Sequence, residues 1–237
     1  MRLNRFIASS GVCSRRQADV LIAQGRVQVN GVVMNNFACT VAQNDQVRLD
    51  GELLQMAPYQ YIGFNKPAGY LTTMRDDRGR PTIYHLLPKR FHHLRPVGRL
   101  DYDSTGLLLL SNDGDFIYRL THPSIKVAKC YLVSAKGLVT AKQLAKMKTG
   151  IILDNVTAFA DARLLEYKNG LSWLRIVLYQ GINRQIRRML EYVSHPVVEL
   201  QRVSHGPFEL GDLPEGRFVL LNRECCLSIA ASKSKLM

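Results

Sequence analysis

The chain has 237 residues, 46% of them hydrophobic, and carries a formal net charge of +13 at pH 7. This composition is that of a globular protein rather than a disordered one, and no stretch approaches the roughly 18 consecutive apolar residues of a membrane span. The N-terminus lacks a signal-peptide core, and the five cysteines include no CxxC pair, which predicts reduced thiols in a cytoplasmic protein. The excess positive charge predicts a polyanionic partner, most often nucleic acid.

Residues 1–55 predict a small domain of two helices followed by short strands. Leu3, Phe6 and Ile7 have the i, i+3, i+4 spacing of one helix face. The segment SRRQ, from Ser14 to Gln17, has the pattern of a capping box at the start of a second helix. Asn30-Gly31, between two valine-rich segments, predicts a type I′ hairpin turn.

Arginine supplies every basic residue of positions 1–50. Arg15 and Arg16 fall in the first turn of the second helix, where the helix dipole disfavours cations. Bound phosphates would explain this position; the alternative is a solvated helix start. The segment RLNRFIASSGVCSRRQADVLIAQGRVQVNG resembles the small RNA-binding domain named after ribosomal protein S-four, also called the alpha-L motif, which implies binding to structured RNA. On this resemblance we predict that five arginines contact RNA, namely Arg2, Arg5, Arg15, Arg16 and Arg26.

Residues 56–60 predict a linker, residues 61–225 a larger domain, and residues 226–237 a tail. Short apolar segments bounded by Gly, Pro, Asn and Asp predict many strands in the larger domain. Asp115 is the predicted N-cap of one helix, and a capping box from Thr140 to Gln143 begins another. Because few helices are long enough for repeated βαβ crossovers, we predict an α+β fold with a mixed, mainly antiparallel sheet.

The segment VGRLDYDSTGLLLLSNDGD, from Val97 to Asp115, contains the most informative polar residues. Leu107 to Leu110 is a continuous apolar run that predicts a fully buried strand. Asp101 lies in the loop before it, at the edge of the core, where a carboxylate needs a nearby cation or takes up a proton. Asp103 is interpreted as a capping or surface residue of this loop.

Candidate cations come from the segment GINRQIRRM, in which Arg184, Arg187 and Arg188 have i, i+3, i+4 spacing. We predict phosphate contacts for Arg184 and Arg188. One arginine paired with Asp101 would keep it ionised for nucleophilic or base chemistry. Tyr131 is either an aromatic platform for an unstacked base or a core tyrosine.

Common catalytic motifs are missing from the sequence. The six histidines show no HExxH or other metal-ligand spacing, and no GxSxG, GxxxxGK[ST] or GxGxxG motif occurs. Metal, hydrolase, NTPase and dinucleotide sites of these kinds are therefore not predicted.

Four segments, in this order, resemble the motifs of pseudouridine synthases of the RsuA/RluB/RluE/RluF family: NKPAGYLTT, GRLDYDSTGLLLLSNDGD, KCYLV and GINRQIRRM. With the N-terminal domain, the resemblance spans residues 2 to 221. It implies that Asp101 is the catalytic aspartate, Tyr131 the active-site tyrosine and Arg187 the arginine that pairs with the aspartate. It also implies that no cofactor and no metal is used. We add Arg99, in the second motif, to the predicted RNA contacts.

The resemblance implies site-specific isomerisation of uridine to pseudouridine in ribosomal RNA. We expect the partner to be structured rRNA or a pre-ribosomal particle, and we expect a monomer with no membrane partner. The glycosidic bond breaks, the uracil turns, and carbon 5 is joined to the ribose. The segments NRQIRRM and SRR favour large-subunit rRNA. The alternatives are a small-subunit enzyme and a non-catalytic factor for rRNA binding or ribosome assembly. The sequence leaves open whether Asp101 attacks the ribose, attacks the base or removes a ribose proton.

Overall fold

The computed structural model describes residues 1–42 and 44–232, and its contacts divide the chain into two units, Met1–Tyr59 and Gln60–Met237. We call them the N-terminal unit and the C-terminal unit. None of the helices among the described residues is both long and apolar enough to cross a membrane.

The N-terminal unit consists of two helices and a four-stranded antiparallel sheet. Its strand order is β2-β1-β3-β4. Asn30 and Gly31 both have positive φ, of 50° and 82°, as a type I′ turn requires. The predicted order of helix, helix and hairpin is confirmed. The elements are α1 (Leu3–Ser9), α2 (Arg15–Ala23), β1 (Val27–Val29), β2 (Val32–Met34), β3 (Val47–Leu49) and β4 (Glu52–Leu53).

The C-terminal unit is built on a nine-stranded sheet with a central strand order of β11-β12-β8-β13-β7-β5-β15. Strands β7 and β13 are parallel, and the other pairs of this sheet are antiparallel. The prediction of a mixed, mainly antiparallel sheet is therefore confirmed. The sheet strands are β5 (Tyr61–Lys66), β6 (Arg95–Pro96), β7 (Thr105–Ser111), β8 (Lys129–Lys136), β11 (Asp161–Lys168), β12 (Leu171–Leu178), β13 (Val197–His205), β14 (Phe208–Glu209) and β15 (Phe218–Leu220).

Four α-helices and a separate hairpin complete the described part of this unit. Two short 3₁₀ helices, Ile83–His85 and Lys89–Phe91, lie between β5 and β6. The remaining elements are α3 (Gly114–Thr121), α4 (Ala141–Thr149), β9 (Ile151–Leu153), β10 (Val156–Ala158), α5 (Gln185–Tyr192) and α6 (Arg223–Ala231).

Strand β7 is buried on both faces, as its leucine run predicts. Leu108 and Leu110 belong to the main hydrophobic cluster, which includes Met189 of α5 and Met147 of α4. Because side chains alternate along a strand, Leu107 and Leu109 face the other side of the sheet, and both are fully buried. The rigid strand that follows the Asp101 loop therefore runs through the centre of the core.

Three local predictions need correction. The N-cap of α3 is Asp113, whose carboxylate accepts hydrogen bonds from the backbone N–H groups of Asp115 and Phe116. The predicted tail of residues 226–237 contains most of α6, in which Cys226 is fully buried, while residues 233–237 lie outside the described residues. Arg184 is the N-cap of α5, with a left-handed φ of 49°, so the helix proper contains only Arg187 and Arg188 of the predicted arginine face.

Candidate active site

The loop of residues 97–104, which we call the Asp101 loop, is held from beneath by two side chains. The Lys66 ammonium is fully buried and donates hydrogen bonds to the carbonyl oxygens of Pro67 and Ser104, both at 2.9 Å, and of Tyr102 at 3.5 Å. The Thr72 hydroxyl donates to the carbonyl oxygen of Leu100 at 2.8 Å. These contacts fix the backbone on both sides of Asp101, whose side chain remains 30% exposed.

A cleft of about 460 Å³ opens beside Asp101. Its walls are the Asp101 loop, the segment after α3 and the segment between β12 and α5, and its floor comes from β8 and β13. Asp101 and Tyr131 both line it, as do Arg99 and Arg184. The volume falls within the range of small-molecule sites, so the cleft has room for a single nucleotide unit.

The arginines near Asp101 are arranged differently from the sequence-based prediction. Arg187 was assigned to Asp101, but its guanidinium donates to the backbone carbonyl of Asp103 at 2.9 Å and to the Ser104 hydroxyl at 3.4 Å, and lies 3.4 Å from the Asp103 carboxylate. The arginine within ion-pair distance of Asp101 is Arg184, at 3.8 Å. Arg184 also binds both carboxylate oxygens of Asp103, at 3.1 and 3.2 Å.

Asp103 is therefore the central anion of this cluster rather than a simple loop residue. Burial alone would raise its pKa, but the hydrogen bonds from Arg184 and the charge of Arg187 hold the pKa below its usual value. The same bonds raise the pKa of Arg184. Burial lowers the pKa of Arg187, an effect that Asp103 and Asp101 partly oppose. Two arginines and two aspartates thus balance one another on this side of the cleft.

The floor of the cleft has a different composition. Tyr131 lies on β8 opposite Arg202 of β13, and Lys129 lies two residues before Tyr131 on the same strand face. All three side chains line the cleft. Arg202 is only 2% exposed, and its Nε donates to the carbonyl oxygen of Leu107 at 2.7 Å.

Sequence reasoning missed Lys66, Lys129 and Arg202 as parts of this site. A signal existed for Arg202, because it stands at an inward position of the strand VVELQRVSH, where an apolar residue is expected. Lys66 and Lys129 carry no comparable signal, since lysines at strand ends are ordinarily solvated.

The remaining predicted RNA contacts have varied surroundings. Arg2, Arg15 and Arg16 are exposed in the N-terminal unit, and Arg5 is half-buried. Arg26 forms a bidentate pair with Asp50, and Arg188 pairs with Asp154 at 2.8 Å. Within residues 1–42 and 44–232, no three His, Cys, Asp or Glu side chains are grouped as metal ligands would be.

Comparison with known proteins assigns both units. The family model described as RNA pseudouridylate synthase matches residues 60–192, and the S4 domain model matches residues 1–47. An Aquifex aeolicus protein described as an uncharacterized RNA pseudouridine synthase is 39% identical over 94% of this chain and 91% of its own length. Ribosomal large subunit pseudouridine synthase B of Bacillus subtilis is 37% identical over 91% of this chain and 89% of its own.

A solved structure supports the same assignment. A crystal structure of a pseudouridylate synthase matches with a TM-score of 0.70 and 29% identity, over 97% of this chain and 99% of the other. The family match covers more than half of the chain, and the relatives cover almost all of it. This chain therefore belongs to the RNA pseudouridine synthases, as an S4-domain enzyme of the RsuA/RluB type.

Proposed function

We propose that this enzyme converts a specific uridine of large-subunit ribosomal RNA to pseudouridine, with Asp101 as its catalytic carboxylate. The position of Asp101 carries the proposal: it is an accessible carboxylate at the edge of a nucleotide-sized cleft, 3.8 Å from Arg184, on a loop held by buried hydrogen bonds. The choice of large-subunit rRNA is supported by the segments NRQIRRM and SRR and by the name of the Bacillus subtilis relative.

The reaction is an isomerisation in which atoms balance without a co-reactant. The bond between the ribose and N1 of uracil breaks, the ribose carbon joins C5, C5 loses its proton, and N1 gains one. Asp101 provides the carboxylate oxygen that starts this sequence, as a nucleophile or a base. Arg184 stabilises that charge, and Arg187 positions the loop through Asp103 and Ser104.

The target base has to leave its stack to enter the cleft, at a cost of a few kcal/mol. Tyr131 provides the aromatic surface at the floor on which the flipped uracil rests. Contacts to the RNA backbone offset the cost of flipping. We assign these contacts to the basic side chains of both units, namely Arg2, Arg5, Arg15, Arg16, Arg26, Arg99, Arg184 and Arg188.

The test uses large- and small-subunit rRNA labelled with tritium at C5 of uracil, because closing the new bond at C5 releases the label. Each rRNA is supplied as a transcript and as a ribosomal particle from cells lacking the protein. We expect release from large-subunit rRNA with the wild-type protein. Asp101→Asn lowers the rate by roughly 10²–10⁴-fold, the usual contribution of a general acid–base group. The matched control Asp212→Asn, at an exposed position, keeps the wild-type rate.

Three results would contradict parts of this proposal. Release only from small-subunit rRNA would overturn the substrate assignment and keep the chemistry. Equal rates for Asp101→Asn and wild type would overturn the role of Asp101. No release from either RNA in any form would overturn ribosomal RNA as the substrate.

A further inference from the structure

The floor of the cleft contains two cations without a carboxylate partner in the described part of the chain. Lys129, two residues before Tyr131 on β8, and Arg202, opposite Tyr131 on β13, both line the cleft. None of the ion pairs found among the described residues includes either of them. The register partner of Lys129 is His205, which burial and the charge of Arg202 keep neutral by holding its pKa well below the usual value.

Arg202 is held in place but not fully paired. Its Nε bonds to the carbonyl oxygen of Leu107, and Nη1 lies 3.5 Å from the carbonyl oxygen of Arg99. Nη2 is buried without a hydrogen-bond partner. The Arg99 carbonyl lies in the Asp101 loop and the Leu107 carbonyl in the strand that follows it, so the guanidinium contacts the backbone before and after Asp101. A buried charge that lacks a counter-ion costs several kcal/mol, and a buried orphan donor adds to that cost.

Lys129 is the accessible member of the pair. Its ammonium donates one hydrogen bond, to the carbonyl oxygen of Val127 at 3.1 Å, and retains two further N–H groups. Burial, reinforced by Arg202, lowers the pKa of Lys129 to about 8. An anion beside Lys129 would stabilise the charged ammonium and so oppose the lowering of its pKa. A neutral uracil carbonyl carries no charge and would not have this effect.

We propose that Lys129 and Arg202 form a subsite for a phosphate group of the bound nucleotide, with Lys129 contacting the phosphate oxygens and Arg202 supplying a second positive charge from beneath. The identity of the nucleoside rests on the proposed function. Arg184 and Arg187 attract this phosphate less strongly, because Asp103 offsets part of their charge. The phosphate therefore binds at the floor beside the uracil that rests on Tyr131, which leaves the Asp101 side free for the sugar.

The test measures binding of single nucleotides to the full-length protein, without turnover. Uridine, uridine 5′-monophosphate and uridine 3′-monophosphate are titrated at one ionic strength, and their Kd values are compared by NMR chemical-shift perturbation. We expect one of the monophosphates to bind about tenfold more tightly than uridine, a factor equivalent to about 1.4 kcal/mol. Using both monophosphates identifies which phosphate of the nucleotide the subsite holds.

Substitutions of Lys129 and Arg202 test whether these residues cause the tighter binding of the monophosphate. Lys129→Gln reduces the advantage of that monophosphate to about one, and Lys129→Arg keeps most of it because the positive charge is retained. The matched control Lys126→Gln, an exposed lysine three residues earlier, keeps the wild-type ratio. If the Arg202→Gln variant folds, we expect it to lose the phosphate advantage as Lys129→Gln does. If Arg202→Gln does not fold, the Lys129→Gln result alone decides the test.

The proposal is overturned if uridine and both monophosphates bind wild type equally, or if Lys129→Gln keeps the phosphate advantage. Its failure is distinct from failure of the proposed function. A phosphate advantage that depends on Lys129, together with no tritium release from rRNA, would support the subsite and reject the substrate. Tritium release without a phosphate advantage would do the reverse.

Discussion

Lys66, buried under the Asp101 loop, and Lys129, half-buried at the floor of the cleft, both have a lowered pKa, but the surroundings of the two differ. Burial lowers the pKa of both Lys66 and Lys129 to about 8. Under the Asp101 loop, the carboxylates of Asp101 and Asp103 partly oppose that effect for Lys66, and three backbone carbonyls accept from its ammonium. At the floor, Arg202 adds to the effect for Lys129, which has one carbonyl partner.

The role of each lysine therefore depends on the groups around its ammonium, and not only on how far it is buried. Lys66 has its hydrogen-bonding capacity used within the protein, so its role is to hold the loop. Lys129 keeps free donors and faces a like charge, so its environment is complete only when an anion binds. The following predictions test whether the two sides of the cleft differ in this way.

The largest effect is expected at Gly106, where the Asp101 side meets the floor. Gly106 has a φ of +101°, and a Cβ at this position would lie 2.3 Å from the backbone oxygen of Arg202. Gly106→Ala therefore forces β7 away from β13 and adds backbone strain. We expect the free energy of unfolding, measured by urea denaturation, to fall by about 3–5 kcal/mol.

Gly114→Ala is the matched control for this substitution. Gly114 begins α3, and a Cβ there would meet no atom within 4 Å. The expected change is below about 1 kcal/mol, because alanine is a better helix former than glycine. Equal stability of the two variants would show that Arg202 does not approach the Asp101 side as closely as described.

The second prediction concerns Lys66 and pH. Folded Lys66 releases its proton near pH 8, while the unfolded chain holds it up to about 10.5. The unfolded state therefore binds more protons between these values, and the contribution of Lys66 to the free energy of unfolding rises with pH across this window, by up to about 3 kcal/mol. Urea denaturation gives the free energy of unfolding of wild type and of Lys66→Met from pH 7 to 10.5. The difference between the two free energies is expected to increase with pH across this range.

Lys129 is present in both proteins of this comparison, so its own titration cancels. A difference between wild type and Lys66→Met that stays constant with pH would mean that Lys66 titrates normally. In that case the carbonyls and carboxylates around Lys66 would compensate its burial completely.

The third prediction concerns the balanced side of the cleft. Arg187→Met keeps an unbranched side chain but loses the hydrogen bonds to the Asp103 backbone and to Ser104. Because the Asp101 loop then loses a support, we expect kcat to fall by about 10–100-fold, with little change in the Kd for rRNA. Single-turnover tritium release and filter binding measure the two quantities.

Arg188→Met, one residue further along α5, is the control. Arg188 pairs with Asp154, whose side chain is 83% exposed, and such a surface pair contributes little to stability. This variant is expected to weaken RNA binding and to leave kcat unchanged. If Arg187→Met raised the Kd and spared kcat, Arg187 would be a phosphate contact rather than a positioning residue.

The local fold followed closely from residue patterns. The buried strand β7, the Asn30-Gly31 turn and the helix capped by Thr140 were all predictable because each depends on neighbours in sequence. The errors also have local causes. Both Asp113 and Asp115 have the chemistry of an N-cap, and α6 buries only Cys226, so its sequence shows no clear apolar face.

The composition of the site was less predictable. Asp101 and Tyr131 stood out through the motifs that contain them, and both line the cleft. The sequence did not reveal which carboxylate each arginine binds, because Asp103 and Arg184 are 81 residues apart in the chain. Whether Arg184 or Arg187 approaches Asp101 depends on the left-handed conformation of Arg184 before α5, which departs from regular helical spacing.

The sequence by itself determined the two-unit organisation of helices and strands, the excess of positive charge and the segment that bears Asp101, the proposed catalytic carboxylate. These features depend on periodicity, composition and short motifs, all of which are local. The tertiary structure decided which charges meet. It joins Asp103 to two arginines and brings Lys129 near Arg202, neither of which has an ion pair among residues 1–42 and 44–232. Electrostatic balance depends on distances of a few ångströms between strands that are far apart in the chain, and only folding sets those distances.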